Sequence, residues 1–181
     1  MQNKIIAGVL LIVLSPVLLI TALLVRFLEP NSPIIFQQKR IGKHRKPFII
    51  YKFRTLRSNP SNKLVLDVND SRIALVGKIL RKTHLDELPQ LINILKGEMV
   101  FIGPRPVMRA TDKKQRLQFS SYHERDLVHP GLTGLRQLYK REQARRHFVL
   151  DLILIKHMHQ RQFQIWILAR TIMSVLGMKG V

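Results

Sequence analysis

From Ile5 to Val25 the chain runs for 21 residues without a charge, and Lys4 and Arg26 close the run at its two ends. A helix needs about 20 apolar residues to cross the hydrocarbon core of a bilayer. A signal-peptide core is shorter and ends in a small-residue cleavage site, which this run lacks. A buried core helix is the alternative, but such helices normally keep a polar face at 3.6-residue spacing and none is present here. Residues 1–28 are therefore expected to enter a membrane. Ser15-Pro16 interrupts them, because proline has no N–H to offer the carbonyl of Ile12 and its ring crowds that carbonyl. A kink is expected there, with the Ser15 hydroxyl covering part of the freed backbone. The segment either spans with a bend or turns back as a re-entrant hairpin, and single charges at each end do not choose between the two.

The remainder, residues 29–181, is long enough for one domain with a core. Its pattern is α+β. Residues 34–55 read as a β-hairpin about a polar turn at 43–47, with a loop at 57–62. Residues 72–82 read as a basic helix. A second helix is expected from about Pro89 to Leu95 with Lys96-Gly97 as its stop, followed by a short strand from Met99 to Ile102. Residues 113–125 read as surface helix, 129–134 as a loop, and 162–178 as an interfacial helix or one packed on the core. Thirty-one Lys and Arg against eleven Asp and Glu give a formal charge of +20. Such a surplus calls for a polyanionic partner: nucleic acid, anionic lipid or phosphorylated substrate. The chain has no cysteine, which excludes disulfides, thiolate metal sites and cysteine nucleophiles.

Against that basic background, Asp86-Glu87 stands out, just ahead of Pro89. Two neighbouring carboxylates can divide a phosphoryl transfer, one attacking phosphorus and the other holding a hard cation. Acids in a first helical turn also simply complement the helix dipole, so the pair alone leaves both roles open. Arg105 is held between Pro104 and Pro106, which suits either a preset phosphate fork or an ordinary surface turn. Lys52 and Arg54 alternate with Tyr51 and Phe53 and share one strand face, either a phosphate-facing stripe or a solvated one. The seven histidines offer no metal pair, since His157 and His159 are two apart on a helix and do not face each other. Oxygen-liganded Mg²⁺ is the one metal expected.

Taken in order, Ser15-Pro16, Phe36 to Gly42, Tyr51 to Thr55, Leu85 to Leu91, Lys96 to Met99, Gly103 to Pro106 and Pro130 to Gly134 resemble the motifs of the monotopic phosphoglycosyl transferases. These are small bacterial sugar transferases that begin polyprenol-linked glycan assembly, and the resemblance covers nearly the whole chain. It implies a re-entrant hairpin broken at Ser15-Pro16, seated in the cytoplasmic leaflet of the bacterial inner membrane. It further implies transfer of a sugar 1-phosphate from a UDP-sugar to a polyprenol phosphate with Mg²⁺, for exopolysaccharide, O-antigen or glycoprotein assembly. Asp86 then matches the nucleophile that forms a phosphosugar-enzyme, and Glu87 the metal ligand. Lys52, Arg54, Arg105 and Arg141 match phosphate-binding positions. Asp151 matches a late aspartate, a metal or structural partner.

The chain departs from the family pattern at Asn3, His84, His129 and Gln164, and Tyr139-Lys140 replaces an Asn-Gly ahead of Arg141. Asn3 in place of an acid predicts a weaker contact between hairpin and globular part. A degenerate, non-catalytic assembly subunit is thus one rival reading. A membrane-tethered nucleic-acid-binding protein is the other, although no helix-turn-helix, zinc or RNP-like pattern supports it and no nucleic acid is expected. Homo-oligomerisation is left open.

Overall fold

The computed structural model describes residues 1–28, 30, 32–55, 75–139 and 144–176. The loop expected at 57–62, the first residues of the helix expected at 72–82, and Arg141 lie outside the described residues.

Helices α1 (Gln2–Val13) and α2 (Ser15–Leu28) meet at a bend of 64°. The break lies where proline chemistry puts it, and Ser15 Oγ donates to the carbonyl of Ile12 at 2.7 Å. Among the described residues no single helix is long and apolar enough to cross a membrane, whereas the bent pair together has the length and composition. Ile5, Val9, Ile12, Leu19, Leu23 and Phe27 leave this pair's outer surface exposed. Its inner face joins the domain: Ala7, fully buried, packs with Phe48, Ile50, Leu91, Ile94 and Met99, and Val25 packs with Phe53 and Leu80. Asn3 keeps a contact with the globular part, its Oδ1 accepting from the Phe101 N–H at 3.4 Å.

The hairpin forms as expected, with β1 (Ile35–Ile41) antiparallel to β2 (Pro47–Phe53) and Phe36 opposite Lys52. Helix α3 (Leu75–Thr83) leads to a 3₁₀ turn, Leu85–Gln90, entered through His84 in the left-handed region. Helix α4 (Leu91–Lys96) continues from it and stops at Gly97, whose φ of 83° suits glycine. The helix expected from about Pro89 therefore starts at Leu91, because Pro89 lies within a tighter turn that carries both acids.

Strand β3 (Val100–Ile102) is followed by the Gly103–Pro106 turn, α5 (Arg109–Gln118) and a 3₁₀ segment Ser120–Leu127. The helix expected over 113–125 is thus broken at Phe119, which is extended. Residues 131–133, expected within a loop, instead form β4 (Gly131–Thr133), parallel to β3. Glycine permits this: a Cβ on Gly131 would lie 2.0 Å from the Gly103 nitrogen. The two chain segments approach too closely for any side chain there, and local pattern does not show such an approach. A short α6 (Leu135–Leu138), α7 (Ala144–His157) and α8 (Arg161–Val175) complete the fold. Leu135, Leu154 and Ile167 bury one side of α8 against α6 and α7. Gln164 tethers the α8 start, donating from Nε2 to the Met158 carbonyl at 2.7 Å.

Candidate active site

The 3₁₀ turn lies against β2, and this contact determines where the acids go. Lys52 follows Phe48 and Ile50 on the inward strand face, so its ammonium points into the domain and not to solvent. It pairs with Glu87, Nζ to Oε1 at 2.5 Å, and Arg105 Nη2 approaches the same oxygen at 3.4 Å. Burial pushes the Glu87 carboxyl up, but Lys52 and then Arg105 outweigh it and hold the group down to about 2. Lys52 is lowered by the same burial, against the opposing pull of Glu87. Asn93, wholly buried, sets the register of this contact. Its amide donates to the Ile49 carbonyl at 2.6 Å and accepts from the Tyr51 N–H at 3.2 Å, pinning α4 to the strand that carries Lys52.

The two carboxylates do not present themselves alike. Glu87 lines the cleft formed with Arg40, Lys52, Arg105 and Pro106, while Asp86 is buried one residue earlier and is absent from that lining. A 3₁₀ helix turns about 120° per residue, so neighbours on it are directed apart. Asp86 is still close enough for its charge to raise Lys52.

Arg40 joins this cleft although its sequence context gives little warning. Ile41 N–H bonds the Val107 carbonyl at 2.9 Å, which brings the edge of β1 against the Pro104–Pro106 turn. Arg40 then donates to the Pro106 carbonyl at 3.1 Å and to Gln38 at 2.5 Å, while its buried Nε has no partner. Burial, followed by the nearby charges of Arg105 and Arg136, lowers Arg40 to about 10. Removing it by Arg40→Gln is expected to weaken binding of a phosphate-bearing ligand about tenfold, since a charge-assisted hydrogen bond is lost. Titration with inorganic pyrophosphate, measured beside melting temperature, checks this.

Behind the cleft lies a second charge cluster. Asp151, only 1% exposed, sits 3.2 Å from Arg125 Nε and 3.6 Å from Arg136 Nη1. Burial pushes its carboxyl up, against the pull of Arg125 and Arg136. Arg125 in turn donates to the Arg105 carbonyl and to the Tyr122 hydroxyl, each at 2.5 Å. Of the two roles left open for Asp151, metal ligand or structural partner, this geometry favours the structural one. At 1% exposure Asp151 does not border the cleft, and through Arg125 it fixes the backbone that carries Arg105.

Arg54 is not drawn into the cleft. Two residues beyond Lys52, its Nε donates to the Pro33 carbonyl at 2.8 Å, at the end of the hairpin. His129 lies by Lys43, its ring partly buried and lowered first by that burial, then by the Lys43 charge. Among the described residues no three His, Cys, Asp or Glu side chains converge on a point that would hold a metal by themselves. Mg²⁺ needs less than that, since one or two carboxylates with substrate phosphates suffice, and the ionised oxygen donor Glu87 fits such a site.

A cleft of this kind sets three cationic side chains around a carboxylate, which is chemistry suited to a polyanionic phosphate. Sequence comparison agrees. A family profile described as bacterial sugar transferase matches residues 1–178, and the chain belongs to that family. The UDP-glucose:undecaprenyl-phosphate glucose-1-phosphate transferase of Escherichia coli K12 is 41% identical over 139 residues, covering 76% of this chain and 30% of that protein. The UDP-N-acetylgalactosamine-undecaprenyl-phosphate N-acetylgalactosaminephosphotransferase of Aeromonas hydrophila is 41% identical over 127 residues, 68% of this chain and 30% of that one. The uncharacterized sugar transferase EpsL of Bacillus subtilis strain 168 is 34% identical over 182 residues, 97% of this chain and 86% of its own length. The chain thus spans under a third of the first two relatives and most of the third.

Proposed function

We propose that this protein is a phosphoglycosyl transferase that moves a sugar 1-phosphate from a UDP-sugar to a polyprenol phosphate. The observation that carries the reading is the Glu87 carboxylate held among Lys52, Arg40 and Arg105, with Asp86 directly before it. Relatives named as undecaprenyl-phosphate sugar phosphotransferases support the same reaction class.

The chemistry assigned to the residues is a double displacement. An Asp86 oxygen attacks the β-phosphorus of the UDP-sugar and forms a P–O bond. The bond from that phosphorus to the bridging oxygen breaks, and its electron pair leaves with UMP. A phosphate oxygen of the polyprenol phosphate then attacks the same phosphorus and releases the Asp86 carboxylate. Lys52, Arg40 and Arg105 hold the phosphoryl oxygens and offset charge as it shifts toward UMP. Glu87 would hold Mg²⁺ together with the diphosphate, and a bound Mg²⁺ supplies further neutralisation of the leaving group. With Glu87 on the cleft wall and Asp86 buried, the division of roles rests on the resemblance at Leu85 to Leu91. Assay of UMP release from UDP-sugars with polyprenol phosphate, with and without Mg²⁺, tests the whole reading. Absence of UMP with every donor would overturn it.

The same proposal seats the bent α1–α2 pair in one leaflet as a re-entrant hairpin, with the domain on the cytoplasmic face. The exposed apolar outer side of the pair and the 64° break support it. Replacing Ser15 and Pro16 together by alanine restores the missing N–H and should straighten the pair into a span. An N-terminal tag is then expected to become reachable from outside the cell in the double variant alone. Labelling of the unaltered protein from outside would rule the hairpin out.

A further inference from the structure

A second cleft, of about 250 Å³, has Glu87 and Arg105 in its lining. Its floor is Phe101 and Leu132 from β3 and β4, one wall is Leu85 and Leu88, and the other is Leu168 and Val175 from α8. Carbon makes up most of its surface, although Thr83, His84, Gln137 and Ser174 also border it. Thr133 and Thr171 also line it, but their hydroxyls are hydrogen-bonded to each other at 2.6 Å, and Thr171 donates to the Ile167 carbonyl at 2.7 Å. The polar cleft and this apolar one share Glu87, Arg105 and Leu132, so they adjoin at the carboxylate. Val175 of this lining neighbours exposed Ile172 and Leu176 at the C-terminal end of α8.

We propose that this apolar groove is the seat of the acceptor's first isoprenoid units, with the acceptor phosphate at Arg105 and the chain leaving along α8. The proposal rests on the transferase reading above and adds the location of one substrate. Three features select the occupant. The walls are carbon, which disfavours a uridine ring that needs hydrogen-bond partners. The inner end reaches Arg105 and Glu87, and Lys52 and Arg40 stand in the adjoining polar cleft, so positive charge exceeds the single Glu87 carboxylate where the two clefts adjoin and favours an anionic head. The outer end reaches an apolar helix surface, through which a long hydrocarbon tail can pass without entering water. A prenyl phosphate has this order of groups.

The test fills the groove. Leu168 is 41% exposed, so Leu168→Trp can be accommodated while its ring closes the wall. Val175→Trp, at 37% exposure, serves if that variant is unstable. Either is expected to raise KM for undecaprenyl phosphate at least about tenfold, with KM for the UDP-sugar changed less than about twofold. An independent arm reads binding without turnover. A photoreactive farnesyl phosphate should label peptides containing Leu168 or Val175, and undecaprenyl phosphate should protect them. Unchanged acceptor KM with both variants overturns the groove while leaving the transferase reading intact. So does a rise in donor KM alone, or equal labelling by a photoreactive phospholipid that undecaprenyl phosphate fails to displace. Loss of UMP release from the unaltered protein would instead strike the transferase reading, and the labelling arm would still decide the groove.

Discussion

Asp86→Asn is expected to abolish turnover, by about 10⁴-fold or more, and with it any covalent phosphosugar adduct. An amide has no anionic oxygen with which to attack phosphorus, while its size and shape match the carboxyl it replaces. Folding should therefore survive. Glu87→Gln should behave differently. It removes the proposed Mg²⁺ ligand and a partner of Lys52 but leaves the proposed attacking group, so a slow rate of about 10⁻² of the original is expected, with a raised Mg²⁺ requirement. Intact-mass measurement after rapid quenching, with UDP-sugar, Mg²⁺ and no acceptor, distinguishes the two, and peptide mapping locates the adduct. The structure makes this a real contest, because Glu87 lines the cleft and Asp86 does not. An adduct on Glu87, or full activity in Asp86→Asn, would transfer the nucleophile's role.

Asp151→Asn is expected to be the most destabilising single change outside the cleft. Arg125 and Arg136 are both largely buried beside Asp151, at 7% and 15% side-chain exposure. Removing one partner of a buried ionic cluster leaves uncompensated charge, a loss of about 3–5 kcal/mol. For a domain of this size that is a fall in melting temperature of roughly 6–20 °C. The same change should loosen the Gly103–Pro106 turn, since Arg125 bonds the Arg105 carbonyl. Activity is then expected to drop through KM for phosphate-bearing substrates even at temperatures where the fold persists. A metal ligand at this position would give the opposite pattern, with stability kept and Mg²⁺ dependence altered. Thermal melts in detergent beside Mg²⁺ titrations separate the two.

What could be read from the sequence was local. Pro16 lacks an N–H wherever it is placed, so the break between α1 and α2 and the bond from Ser15 to Ile12 follow from two adjacent residues. Alternating side chains and a polar turn define the hairpin. Gly97 supplies a left-handed stop for α4 whatever it packs against. The acidic pair, the Gly-Pro-Arg-Pro turn and their order along the chain were enough for the family. Tertiary structure decided what each side chain faces. Lys52 and Arg54 occupy equivalent positions in the strand pattern, yet one meets Glu87 and the other a backbone carbonyl, because the 3₁₀ turn lies against only one of them. Neither Arg40, within the Phe36 to Gly42 motif, nor Arg125, in the expected surface helix, was singled out as a site residue. Their burial comes from contacts with the Gly103–Pro106 segment 66 and 20 residues away. Strand β4 exists because Gly131 and Gly103 come within van der Waals distance across the same segment. Propensity and steric rules act between neighbours and are written in the sequence. Burial, ion pairing and cleft shape depend on which distant segments share a volume, and that is fixed only when the chain packs.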